Sequence, residues 1–394
     1  MRFHAYLNTA KTLLQNYNGS EPLNYYLKNY FSSHKKHGSK DRKFISELCY
    51  CYCRIGKALP QLTIEEKIKT ALFLCNTQVN NWQDLFENNW LDNWHKELSK
   101  RIEFIKSEFE NFNVEDIFPF KNEVSESIDF TAFAIAHLIQ PNLFLRIRPL
   151  NTQTVIEKLK KAELNFKILH DTCIALPNAS KINELIHINK EVVIQDYSSQ
   201  QISKYFTLIQ SLEKNSNSSV FTIWDCCAAS GGKSILAKDI LGNIQLTVSD
   251  IRKNILHNLQ KRFNEADIKN YHSFVADIAS KNWKPFQAKF KIVICDVPCS
   301  GSGTWSRTPE QILFFSTEKI KEYAILQKNI VSNVVSQIEN GGYFLYITCS
   351  VFKAENEGVV SFIQEKHSLQ LIQFEVLKGY DKEADSMFVA LFKK

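Results

Sequence analysis

Apolar positions along this chain recur with two different periods, and the change of period divides it. Over residues 1–125 the spacing is helical: Tyr6, Leu7, Ala10, Leu13 and Leu14 fit one helical face, and Leu23, Tyr26, Leu27, Tyr30 and Phe31 fit another. A polar breaker at 16–22, centred on Gly19, separates them. The run 44–55 is apolar enough for a buried helix. Leu72, Phe73 and Leu74, then Trp82, Leu85, Trp90, Leu91 and Trp94, sit near helical spacing as core aromatics rather than a stacking surface. Over 126–211 short strands at 144–147 and 166–169 flank a helix at 155–162, while 182–189 follows neither period. Residues 192–206 pass from an apolar stretch through a polar turn into a helix. This texture predicts a small α/β domain that links its neighbours and lies against nucleic acid. The polar run 212–219 marks the clearest boundary in the chain.

Beyond that boundary, 212–394 reads strand, loop, helix, repeatedly. Strands are predicted at 220–224, 245–249, 272–276, 291–295, 343–348 and 387–392, with helices at 234–241, 255–264 and 318–338. The alternation predicts a parallel sheet with helices on both faces, in an α/β domain preceded by the small α/β domain and the all-helical N-terminal one.

Composition narrows the class without deciding it. A length of 394 residues suggests two or three domains, and 44% hydrophobic with 23% charged residues is ordinary for a globular protein. The net charge of +6 permits a nucleic-acid partner. Its densest expression is Lys35, Lys36, Lys40, Arg42 and Lys43, which reads equally as a phosphate-contacting patch and as a solvated loop with a helix start. Of the ten cysteines, Cys49, Cys51 and Cys53 lack metal-ligand spacing and read as small buried hydrophobes. His4, Asn8 and Lys11 interrupt any signal-peptide core, and no apolar run approaches a membrane span, so a reduced cytoplasmic protein is expected.

The chemistry sits where strands are predicted to end. Ile292, Val293, Ile294 and Cys295 form a buried-strand run that stops at Asp296, and Pro298, Ser300, Gly301, Ser302 and Gly303 build a loop carrying Cys299. Ligands of open α/β sheets bind outside the carboxyl ends of strands, so this loop is a candidate active site. The loop 225–234 follows the first strand, and Cys227, Ala228, Ala229, Ser230, Gly231, Gly232 and Lys233 let a ligand approach a helix start. It is not a P-loop, because Cys227 stands where that motif needs Gly, and no G-x-G-x-x-G is present. Asp250 ends the second strand, where ribose hydroxyls are held in nucleotide-binding folds. Asp277 follows the third strand and is suited to an adenine amine. Taken singly, either acid reads as well as a helix N-cap; together with the glycine loop they favour an adenosine-containing cofactor. Tyr346 and Ile347 end a further strand, and Cys349 turns off it at the same edge as Cys299.

The three stretches 225–234, 296–303 and 346–357 closely resemble the motifs of the Sun (Fmu) family of RNA cytosine-5 methyltransferases, and Gln195, Asp196 and Ser199 resemble that family's lead-in motif. The helical N-terminus resembles the RNA-binding domain of its RsmB-like bacterial members. The resemblance implies a Rossmann-like class I methyltransferase domain, S-adenosylmethionine as cofactor, and an RNA substrate, small-subunit ribosomal RNA. It also implies Cys349 as nucleophile, Cys299 as the thiol that assists release, and Asp296 as the group that holds the base. Lys233 would position Asp296, although a solvated lysine in the helix's first turn is an equal reading. Residue position alone leaves the two thiols equivalent. The chain departs from the family pattern at Ser230, usually Pro, at Arg148, commonly Asn, and at Met387, usually aromatic. A monomer without metal or membrane contact is expected. Rival readings are a transfer-RNA methyltransferase, a non-catalytic RNA-binding assembly factor, and a nucleotide hydrolase that Cys227 already weakens.

Overall fold

The computed structural model describes residues 2–79, 81–214 and 220–394, so residues 215–219 of the expected boundary lie outside the described residues. The chain forms two compact units. The first comprises Met1–Val124, Asp129–Gln140 and Thr304–Thr317; the second comprises Ser125–Ile128, Pro141–Gly303 and Glu318–Lys394. The segment Thr304–Thr317, inside the stretch expected to form the C-terminal domain, therefore groups with the helical residues.

The first unit is helical, with Arg2–Asn16, Leu23–Ser33, Ser39–Arg54, Ile64–Cys75 and Leu98–Glu108 as its longer helices. Their apolar faces, including Leu7, Leu27, Ile45, Leu48, Ile68 and Leu72, form one core. Cys49, Cys51 and Cys53 are buried on Ser39–Arg54, as small hydrophobes should be. Phe73 packs edge-on against Trp90 and Trp94, with ring centroids 5.2 and 4.9 Å away, so these aromatics are core. A capping box starts Ile64–Cys75: Glu66 N–H donates to Thr63 Oγ1 at 3.3 Å and Thr63 N–H to Glu66 Oε2 at 2.8 Å. Trp305 and Phe315 anchor the Thr304–Thr317 segment, their rings 4.8 Å apart, and Glu310 accepts from Leu23 N–H at 3.1 Å.

The second unit holds two sheets. The smaller contains β1 (Leu143–Ile147), β2 (Lys167–His170), β3 (Cys173–Leu176) and β4 (Val192–Ile194) in the order β2-β3-β1-β4, all pairs antiparallel. Helix Thr152–Lys161 covers it through Val155 and Leu159. The larger contains β5 (Phe221–Asp225), β6 (Ile244–Asp250), β7 (Tyr271–Val275), β8 (Phe290–Asp296), β9 (Ile338–Thr348), β10 (Gln370–Leu377) and β11 (Met387–Lys393), ordered β10-β11-β9-β8-β5-β6-β7. Consecutive residues such as Ile223 and Trp224, or Ile292, Val293 and Ile294, are all buried, so both faces are covered.

The predicted parallel sheet is present, with β11 as its antiparallel exception. β5 through β9 pair in parallel, but β11 runs antiparallel to both β9 and β10. The connection from Leu377 to Met387 is too short for the crossover of a dozen or more residues that parallel pairing demands. Two arginines join the sheets. Arg146 Nη1 donates to Asp239 Oδ2 at 2.6 Å and Arg148 Nη2 to Asp239 Oδ1 at 2.8 Å, tying β1 to helix Gly232–Leu241. Arg148, a departure from the family pattern, thus has a structural partner here. Met387 opens β11 fully within the core.

Candidate active site

Because β5, β6, β8 and β9 are parallel, their carboxyl ends fall along one edge, which brings Asp225, Asp250, Asp296 and Thr348 together. The loops leaving β8 and β9 meet there. Cys349 N–H donates to Cys299 Sγ at 3.3 Å, so the two thiol-bearing loops touch. Gly303 N–H donates to Cys349 O at 2.8 Å, and Ser386 N–H to Gly303 O at 2.9 Å. A Cβ on Gly303 would lie 2.0 Å from Ser386 O and 2.9 Å from Cys349 O, so only glycine allows this approach.

Lys233, in the first turn of helix Gly232–Leu241, reaches across the edge. Its Nζ donates to Asp296 Oδ2 at 3.1 Å and to Ser199 Oγ at 2.9 Å. Gln195 Nε2 also donates to Ser199 Oγ at 3.1 Å, so the lead-in stretch supports the lysine from behind. Asp196 accepts from Ser198 N–H at 2.9 Å and from Asp385 N–H at 3.2 Å, which fixes that stretch against the connection leading into β11. Burial works against the charge of Lys233, but Asp296, Cys349 and Asp225 together hold the ammonium above its ordinary range. The Cys349 thiol is pushed well up, first by its contact with Cys299 and then by burial, with Asp296 adding and Lys233 opposing. Cys295, by contrast, lies wholly buried within β8.

The glycine loop is bent into a cradle. Ala229 and Gly231 adopt φ of +45° and +81°, and a Cβ on Gly231 would come 2.5 Å from the Phe263 ring. Ala228 sits at its base, donating its N–H to Ser249 O at 2.9 Å. Ser230 is held where the family pattern has Pro: Arg262 Nη1 donates to its carbonyl at 3.0 Å and its hydroxyl oxygen at 2.6 Å. Cys227 is forced upward in pKa by its contact with Cys226 and by burial, so it offers the loop a neutral thiol. The first N–H groups of the helix that begins at Gly232 have no partner within the helix and face this loop's end.

Asp250 takes Ala229 N–H at 3.0 Å, Arg252 N–H at 2.9 Å, and Arg252 Nε and Nη2 at 3.0 and 3.2 Å. Its carboxylate thus already holds a guanidinium, whose side chain is itself 56% exposed and free to swing aside. Asp277 is exposed and caps the turn after β7 through Ala279 N–H at 3.1 Å. Arg252, Arg262 and Asp239 belong to this surrounding shell and carry no motif by which sequence alone would single them out.

The sheet order, with five parallel strands and the antiparallel β11, and the loops gathered at the parallel strands' carboxyl ends are those of a Rossmann-like fold. Residues 209–392 match the model of a family described as 16S rRNA methyltransferase RsmB/F. The "Probable ribosomal RNA small subunit methyltransferase B" of Bacillus subtilis is 26% identical over 236 residues, covering 58% of this chain and 51% of that one. Its counterpart in Synechocystis is 28% identical over 249 residues, covering 60% and 52%. The "28S rRNA (cytosine-C(5))-methyltransferase" of Mus musculus is 26% identical over 155 residues, covering 38% and 19%. The chain spans about half the length of the bacterial relatives it matches. Among solved structures, PH0851 aligns over 100% of this chain and 98% of its own at a TM-score of 0.65 with 16% identity. A methyltransferase homologue from Pyrococcus horikoshii aligns over 67% and 90% at 0.55 with 18% identity. These two likenesses establish the fold. Among the described residues no helix is long and apolar enough to cross a membrane, and no cluster of metal-ligating side chains occurs.

Proposed function

We propose that this chain transfers a methyl group from S-adenosylmethionine to carbon 5 of a cytosine in RNA, with small-subunit ribosomal RNA as substrate, acting as a cytoplasmic monomer. The observation that carries this reading is the meeting of the two thiol-bearing loops, where the backbone N–H of Cys349 donates to Cys299 Sγ at 3.3 Å, beside the Lys233–Asp296 pair at 3.1 Å. Carbon 5 of cytosine is a poor nucleophile, and a site built around one thiol plus an acid would not by itself explain a second thiol.

The residues fit the cofactor. The bent loop Cys227–Gly232 leaves room for close backbone approach, Asp250 offers a carboxylate to a ribose diol once Arg252 yields, and exposed Asp277 offers one to an adenine amine. The bound cofactor supplies an electrophilic methyl group. In this reading the Cys349 sulfur bonds to carbon 6 of the base while its thiol proton passes by way of Asp296 to the ring nitrogen, which leaves carbon 5 enamine-like. Asp296 holds that protonated nitrogen and offsets the positive charge the ring carries once the methyl group is gained, and Lys233 keeps Asp296 in place. Carbon 5 then loses its proton to a base, the sulfur–carbon bond breaks with its electron pair returning to sulfur, the ring nitrogen's proton returns to Cys349, and Cys299 assists that release. The target cytosine enters unpaired or flipped out of its stack.

Cys349→Ala is expected to abolish methyl transfer, and Cys299→Ala to accumulate a protein–RNA adduct that survives denaturing electrophoresis. Full activity in Cys349→Ala would sink the assignment. Bisulfite sequencing of RNA from a deletion strain identifies the substrate: loss of one ribosomal cytosine signal is expected, and loss in transfer RNA alone would move the substrate there.

A further inference from the structure

Behind the two thiols lies a carboxylate that the proposed reaction does not use. Glu355 is fully buried, with 0% of its surface exposed, in the stretch that follows β9. Its Oε2 accepts from Ser300 N–H at 2.9 Å and from Gln327 Nε2 at 2.8 Å, and its Oε1 accepts from Ser350 Oγ at 2.7 Å. Ser300 immediately follows Cys299 and Ser350 immediately follows Cys349, so one carboxylate grips the residue next to each thiol.

The grip is backed on every side. Gln327 Nε2 donates also to Pro298 O at 3.1 Å, and Tyr346 OH donates to Glu355 O at 2.6 Å. Ser300 Oγ lies 3.1 Å from Ser350 Oγ, and Val351 N–H donates to Ser302 Oγ at 2.9 Å, which laces the two loops together above the carboxylate. Burial pushes the Glu355 carboxyl above its usual range, against the pull of the bonds from Ser300 and Ser350. Such a group is expensive to bury, and an apolar side chain would fill the space at lower cost. A buried polar network retained under those conditions specifies geometry.

We infer that Glu355 is a positioning residue that fixes the separation of Cys299 and Cys349 by holding Ser300 and Ser350 on one carboxylate. The inference deepens the proposed function, and its catalytic meaning rests on that reading; the geometric claim does not. Glutamine is isosteric but brings two N–H groups to a place where three donors converge, so it loses at least one grip. Ser350→Ala removes one arm while leaving the carboxylate in place.

The test uses the full chain. Diamide takes two electrons and two protons from a close thiol pair and leaves a disulfide, and peptide mass mapping times the Cys299–Cys349 bond. Closure is expected to slow about tenfold in Glu355→Gln and in Ser350→Ala, because thiols displaced by even an ångström seldom reach bonding geometry. Alkylation of buried Cys226 and Cys295 should stay as slow as in the parent. Unchanged closure in both variants overturns the inference, and so does general acceleration at Cys226 and Cys295, which would make Glu355 a packing residue. The parent's methyl transfer is measured alongside: its absence would defeat the proposed function while leaving the thiol measurement to decide the positioning role. Where the parent is active, a fall in kcat with an unchanged KM for RNA is expected in Glu355→Gln.

Discussion

Asp225 ends β5 with 1% of its surface exposed, and its two oxygens are treated unequally. Oδ2 accepts from Ser234 Oγ at 2.6 Å, whereas Oδ1 is buried without a hydrogen-bond partner. Burial, only partly offset by Ser234 and Lys233 and reinforced by Asp296, lifts its pKa from 3.8 to about 7. Between about pH 4 and pH 7 the folded state therefore keeps a proton that the unfolded chain has released, so stability falls as pH rises through that window. Below it both states are protonated and nothing is lost; above it the whole cost is present. The shift of about three pH units corresponds to about 4 kcal/mol. Asp225→Asn keeps the shape and an oxygen for Ser234 but cannot ionise. Its unpartnered amide N–H costs about 1–3 kcal/mol at every pH, so it shifts the variant's curve without tilting it. Urea unfolding of both proteins, followed by circular dichroism from pH 4.5 to 8.5, is expected to show the parent losing about 3 kcal/mol relative to the variant across that range, about 1 kcal/mol having already been lost below pH 4.5. Parallel curves would refute the raised pKa and the reasoning built on the unpartnered oxygen. Neighbouring acids titrate in both proteins, so the difference isolates Asp225.

Arg252→Ala should tighten cofactor binding, because a ribose diol no longer competes with the guanidinium on Asp250; exposed ion pairs of this kind contribute about 0.2–1 kcal/mol, so calorimetry with S-adenosylhomocysteine should show a Kd lower by up to about fivefold. A weaker Kd would mean that Arg252 contacts the ligand instead. Asp239→Ala strands Arg146, which is buried and already has Nη2 without a partner, and should lower stability by about 3–5 kcal/mol with loss of the tie between β1 and helix Gly232–Leu241; a thermal midpoint within a degree of the parent would overturn that account.

The alternation of strand and helix after residue 220 was legible because buried parallel strands are short continuous apolar runs that end at acids or loops: Ile292–Cys295 before Asp296 is the clearest case. The edge was harder. β10, Gln370–Leu377, has most of its residues exposed or half-exposed, so it lacks the apolar run that marks β5, β8 and β9. The hairpin it forms with β11 reverses the sheet's direction through a turn with no strong signal of its own. β3 and β4 were missed for a related reason, since strands of three or four residues are too short to display a period. The grouping of Thr304–Thr317 with the helical unit rests on Trp305, Phe315 and Glu310, whose partners lie far away in the chain, and no local pattern reports such contacts.

The site divides along the same line. Motif residues were visible because each stands at a strand end, but the side chains that hold them were not, because Arg262, Gln327 and Glu355 act through partners distant in the chain. The order of the two thiols is the most instructive case, since spacing left Cys299 and Cys349 equivalent and only family resemblance separated them. In the proposed reaction that order still rests on the resemblance, because the two thiols share one environment: contact with Cys299 and then burial push the Cys349 thiol well up, while Asp296 adds to that shift and Lys233 opposes it. A pair held so closely has no sequence spacing by which its members could be told apart, and the adduct expected in Cys299→Ala, against the loss of activity expected in Cys349→Ala, is what separates them.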